Sequence, residues 1–171
     1  MNHYLALTII ADDRPGIIEK VAEVVTTHGG NWLESNMSRL AGKFAGILLI
    51  DIAEDKQAAL LAALETLGDQ GIRISGEASP AKEPTSGDHL CLTVVGNDRA
   101  GIVGELSALL ARLHVNVEEL TTSCEDAPMS SEVLFRATAK VSLPTSGLHR
   151  EQLQNELESL SDDLMVELED I

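Results

Sequence analysis

Along this chain of 171 residues the apolar positions change period in a fixed order. "YLALTIIA" at 4–11 and "HLCLTVVG" at 89–96 are short runs rich in Leu, Ile, Val and Thr, closed by polar turn residues. They read as buried strands. After each run the apolar residues fall at 17, 18, 21, 24 and 25, and again at 102, 103, 106, 109 and 110. That spacing marks one face of an α-helix. Pro15 stands where the first helix begins, a position whose N–H would go unused, and Gly29-Gly30 suits its end. Two further strands are expected over about 32–40 and 43–53, and again over about 117–125 and 132–142. "KQAALLAALETLG" then "GIRISGE", and "LHREQLQNELESL" then "DLMVELEDI", supply a second helix and a last strand to each half. The order is β-α-β-β-α-β, twice.

The two halves are one unit written twice. At an offset of 85 residues Leu5 meets Leu90, Leu7 meets Leu92, and Thr8 meets Thr93. Asp13, Arg14, Gly16 and Ile17 meet Asp98, Arg99, Gly101 and Ile102, and Asn31, Glu34 and Ser38 meet Asn116, Glu119 and Ser123. No gap is needed from Leu5 to Ser38, so the match holds register across a strand, a loop, a helix and the next strand. The element order predicts an α+β fold: two ferredoxin-like units in tandem, each an antiparallel sheet with its helices on one face. The first unit is expected over 1–77, a Pro-containing surface linker over 78–88, and the second unit over 89–171.

Composition narrows the function. Lys and Arg total 12 against 28 Asp and Glu, a net charge of −16. Affinity for nucleic acid comes largely from neutralised phosphates, so direct nucleic-acid binding is disfavoured, as is an anionic membrane surface. A protein partner with a basic patch remains open. Residues 1–80 carry 11 acids and 6 bases, whereas 81–171 carry 17 acids and 6 bases. No secretory signal or membrane-length apolar run is visible. Cys91 and Cys124 form no CxxC pair. The expectation is a cytoplasmic protein.

Chemistry for catalysis is not legible. His3, His28, His89, His114 and His149 are scattered, with no metal-ligand spacing, so neither a metal nor a cofactor is expected. "GNDRAGIVG" is neither a dinucleotide fingerprint nor a phosphate-binding loop. The informative stretches are the repeated loops, Asp12, Asp13, Arg14, Pro15, Gly16 and Ile17, and Asn97, Asp98, Arg99, Ala100, Gly101 and Ile102. A strand-to-helix loop presents unpaired N–H groups that suit a carboxylate. Asn31 and Asn116, each eighteen residues past the Asp of its loop, offer donor and acceptor. If the second strand lies beside the first, each Asn reaches the loop of its own copy or of a neighbour. Together these groups suit a small zwitterion better than a nucleotide. The bland alternative is that Asp13 and Asp98 cap helices, Arg14 and Arg99 are solvated, and the glycines serve close packing.

"DDRPGIIEKVAEVVTTHGGNW" and "NDRAGIVGELSALLARLHVNV" resemble the opening of ACT domains. The resemblance spans nearly the whole chain, with Ala100 in place of a usual proline. It implies the same fold and binding of amino acids at interfaces between paired domains, with the two loops, Asn31 and Asn116 as ligand-side residues. It further implies a non-enzymatic regulatory role, with glycine as the signal and a transcriptional activator as the protein partner, and leaves a homo-oligomer open. A regulatory subunit of an amino-acid metabolic enzyme and a ligand-free scaffold are the alternatives.

Overall fold

The computed structural model describes residues 2–80, 86–145 and 147–171. The chain divides into two compact units between residues 83 and 84. Of the expected linker, residues 81–85 lie outside the described residues, and the last strand of the first unit runs on through Ala78 and Ser79, past the expected boundary at 77.

The first unit contains β1 (Asn2–Asp12), α1 (Ile17–Thr27), β2 (Asn31–Leu40), β3 (Lys43–Ala53), α2 (Gln57–Glu65) and β4 (Ile72–Ser79). The second repeats the order with β5 (His89–Asn97), α3 (Ile102–Arg112), β6 (Asn116–Asp126), β7 (Val133–Ser142), α4 (Arg150–Glu158) and β8 (Leu164–Asp170). Both sheets are antiparallel between neighbours, in the orders β2-β3-β1-β4 and β6-β7-β5-β8. The expected α+β fold of two ferredoxin-like units is therefore present. Its duplication extends to an irregularity: β2 bulges between Trp32 and Glu34, and β6 between Val117 and Glu119, which are equivalent places.

Each unit closes its own core, because strand alternation sends every second side chain to the helices. In the first unit Leu5, Leu7 and Ile9 from β1 meet Leu48, Ile50 and Ile52 from β3, covered by Val21, Val25, Leu60 and Leu64. In the second, Leu90, Leu92 and Val94 meet Ala137, Ala139 and Val141, covered by Leu106, Leu110, Leu153 and Leu157. Each such Leu or Ile stabilises its unit by about 1.5–3 kcal/mol through burial. The helix stripes are narrower than the spacing implied. Ile17, Val21 and Val25 are buried, but Ile18 is 49% exposed and its equivalent Val103 is 40% exposed. One residue past the stripe, a side chain turns about 100° away from the sheet.

Candidate functional site

Each repeated loop sits where β1 or β5 runs into its helix. Asp12 and Asn97 end the strands, and Ile17 and Ile102 begin the helices with their side chains in the cores. Between them Gly16 and Gly101 occupy the N-cap position with φ near +91° and +92°. Only glycine adopts that left-handed conformation without strain. Neither helix has a side-chain cap. Asp13 and Asp98 are thus not the caps that sequence allowed: the chain is still three residues from the N-cap at these positions, and the glycine turn intervenes. The first helical hydrogen bonds run from Lys20 N to Gly16 O at 3.1 Å and from Glu105 N to Gly101 O at 2.9 Å. The N–H groups of residues 17–19 and 102–104 precede those bonds and have no acceptor inside their helices.

The loops are held from two sides. Asp13 N–H donates to the Gly42 carbonyl at 2.9 Å, and Asp98 N–H to the Val133 carbonyl at 2.8 Å, so each loop abuts the β2–β3 or β6–β7 connection. On the other side the arginines reach the turn before the last strand of their unit. Arg14 donates to the Gln70 carbonyl. Arg99 lies 3.9 Å from Asp163 and donates to both carboxylate oxygens of Glu105, at 2.9 and 2.8 Å. Ile72 and Leu164 pair with Ala11 and Gly96, which are themselves equivalent, so the two arginines make the same tether. They are not the free solvated charges of the bland reading.

Electrostatics separate the copies. At the first loop, Lys43 donates to Asp12 and holds its carboxyl below the ordinary value. Arg39 lies 3.7 Å from Asp13, and Lys20 donates to Gln70 Oε1 at 2.7 Å. At the second loop Glu105 replaces Lys20. Its bond from Arg99 holds Glu105 below the ordinary carboxylate range and raises Arg99. Asp163, hydrogen-bonded by Ser161, is lowered as well. Nearby, partial desolvation and then the Asp98 charge push the Cys124 thiol up.

A cavity of about 290 Å³ opens at the first loop, lined by Asp13, Arg14, Gly16, Ile18, Glu19 and Phe44 among others. Nothing lies within 4 Å of the point a Cβ on Gly16 would occupy, so the backbone there is open to approach. Sequence reasoning missed Ile18, Glu19, Phe44 and the Gly42 carbonyl as parts of this place. The signal existed: β3 lies antiparallel to β1, so the turn leading into β3 must adjoin the loop leaving β1.

Asn31 and Asn116 lie elsewhere. β2 is an edge strand beside β3, not beside β1 as sequence allowed. Asn31 pairs with Asp51, which pairs with Tyr4 near the start of β1, whereas the loop follows Asp12. Eight strand residues, about 26 Å, separate those rows. The second unit repeats this, with Asn116 opposite Ser142 and Ser142 opposite His89. Within a unit, therefore, the structure does not bring Asn and loop together. Among the described residues no cluster of His, Cys, Asp and Glu has the arrangement of a metal site, and no helix is long and apolar enough to cross a membrane.

The family model for the ACT domain matches residues 3–75. The UPF0237 protein MK1213 of Methanopyrus kandleri is 36% identical over 81 residues, which are 47% of this chain and 87% of that protein. A solved structure of an unknown protein from Galdieria sulphuraria matches with a TM-score of 0.81 at 25% identity, covering 100% of this chain and 99% of the other. A structure named as a putative glycine cleavage system transcriptional repressor matches with a TM-score of 0.76 at 21% identity, covering 100% and 98%.

Proposed function

The chain belongs to the ACT domain family, and we propose that this regulatory protein is non-enzymatic: it senses a small amino acid, glycine first among candidates, and modulates a transcriptional activator by protein–protein contact. The cavity at the first loop carries this reading. Its 290 Å³ is near the lower end of small-ligand pockets, which begin at about 300 Å³. A carboxylate placed there meets the unpaired N–H groups of the α1 N-terminus and the Arg14 guanidinium. The Asp13 carboxylate answers an ammonium group. Ile18 and Phe44 leave an apolar wall that favours a small side chain.

The second loop, Asn97 to Ile102, is proposed as the weaker of two sites. Arg99 is already engaged by Glu105, so a ligand carboxylate must displace a carboxylate in place. Asn31 and Asn116 join a ligand at a loop only from a different βαββαβ unit. Asp12, Pro15 and Ala100 shape the loops rather than touch the ligand, and Ile17 and Ile102 contribute backbone N–H alone.

The proposed partner follows from charge. A net charge of −16 steers toward a protein with a basic patch and away from DNA. Ligand control then requires that the ligand favour one of two states that differ in partner affinity. The test is calorimetric titration with glycine, alanine, serine and larger amino acids, followed by partner capture with and without the ligand that binds. Saturable binding, stronger for small residues and coupled to capture, is expected. Silence across the whole set overturns the sensor reading.

A further inference from the structure

The sheet face turned away from the helices is built differently in the two units. In the first, the two central strands place Ala6, Thr8 and Ile10 from β1 beside Leu49, Ile47 and Ala45 from β3. Ile47 is 59% and Ile10 37% exposed. No charge lies among these six. In the second unit the residues equivalent to Ala45, Ile47 and Leu49 are Arg136, Thr138 and Lys140, which pair with Val95, Thr93 and Cys91. The fold of the second unit thus carries charge at these equivalent positions.

We propose that this face of the first unit is where a second copy of the chain docks, sheet against sheet, about a two-fold axis. The pattern of the face is self-complementary about one row, Asn36–Ile47–Thr8–Ser75, taken as the direction of the axis. Rotation about that row lays each strand antiparallel over its own counterpart and brings the row above over the row below. Leu49 then meets Ala45 of the second copy, and Ile10 meets Ala6, large against small on both strands. On β4 the same rotation sets Arg73 over Glu77. Further out it sets Asp51 over Lys43, again opposite in sign. Each contact occurs twice, as in any isologous interface, and facing sheets about 10 Å apart allow such side chains to interdigitate.

The second unit fails the same operation. There the rotation opposes Arg136 with Lys140, like charge on like, and sets Glu169 against the apolar Met165. The more acidic half of the chain is thereby left out of the interface. None of the docking residues lines the loop cavity, so the interface and the ligand site stand or fall separately.

The test is sedimentation equilibrium of the full chain over a concentration series, with far-UV circular dichroism as the folding control. A dimer is expected for the parent. The variant Ala45→Arg with Leu49→Lys, which copies residues the second unit already carries, is expected to be a folded monomer. Arg73→Glu and Glu77→Arg are each expected to weaken the dimer about tenfold, since symmetry doubles the small effect of one exposed pair. Combining them restores it, because the exchanged charges again face their opposites across the axis. A monomeric parent, a dimer untouched by the β3 substitutions, or charge changes that add without rescue would each overturn the proposal.

Discussion

Replacing Gly16 or Gly101 by alanine isolates the backbone geometry on which the loop site depends. Both glycines sit at the N-cap with φ near +91° and +92°. A Cβ on Gly16 meets nothing within 4 Å, and one on Gly101 comes no closer than 3.9 Å, to Glu105 Oε1. Steric collision therefore adds nothing, and the cost is that of holding an L-residue in the left-handed region, about 1–2 kcal/mol. For a unit of this size about 1 kcal/mol moves the midpoint by 4–8 °C, so each substitution lowers the midpoint of its own unit by roughly 4–16 °C. Gly104→Ala is the internal control. It lies inside α3, its Cβ also meets nothing within 4 Å, and it stabilises by about 0.5–1 kcal/mol through helix propensity. Thermal and urea unfolding of the three variants measure this. Equal stability of Gly16→Ala and the parent refutes the left-handed cap, and with it the open backbone beside the cavity.

Other consequences follow from the same geometry. Glu105 and Asp163 have lowered pKa values in the fold, so the stability they lend is present above their ordinary values and lost as pH falls through the lower folded ones. Glu105→Gln is expected to flatten the acid limb of stability against pH, and an unchanged limb contradicts the Arg99 pairing. Asp98 helps to raise the Cys124 thiol, so Asp98→Asn should speed iodoacetamide labelling of Cys124 at mildly alkaline pH, read by mass spectrometry. Slower or equal labelling would remove Asp98 as a cause. Leu7, fully buried at the centre of the first core, should cost about 2–5 kcal/mol on truncation to alanine. Hydrogen exchange is expected to show the loss in the β1–β3–β4 amides. Asn31→Ala, at an exposed strand start, should leave the thermal unfolding midpoint unchanged.

Much of the fold is legible in the sequence, because duplication doubles every signal. Strand runs such as "YLALTIIA" and "HLCLTVVG" fall in β1 and β5, and the apolar stripe places α1 and α3 with Ile17 and Ile102 as their first residues. What local pattern does not carry is the consequence of sheet order. β1 and β2 are joined through a helix and both run antiparallel to the intervening β3. The start of β2 must then lie with the start of β1, at the far end from the loop. That rule places Asn31 and Asn116 away from their own loops, yet it acts over three strands and no residue announces it. The side-chain roles of the loop are hidden for a different reason. Arg14 finds Gln70 and Arg99 finds Asp163 across more than fifty residues of chain, and nothing in "DDRPGI" or "NDRAGI" names those partners. Ile18 reads as core from its apolar character, although its position is marginal to the stripe and its exposed side chain helps to line the cavity.

Whether the loop between β1 and α1 holds a small amino acid is decided by backbone amide NMR during a glycine titration. Saturable shifts are expected to concentrate at residues 13–19 with Phe44, with weaker ones at 98–104, and the first set should vanish in Gly16→Ala. Shifts confined to other surfaces, or an unchanged spectrum with glycine and every other small amino acid, would contradict a ligand site at this loop.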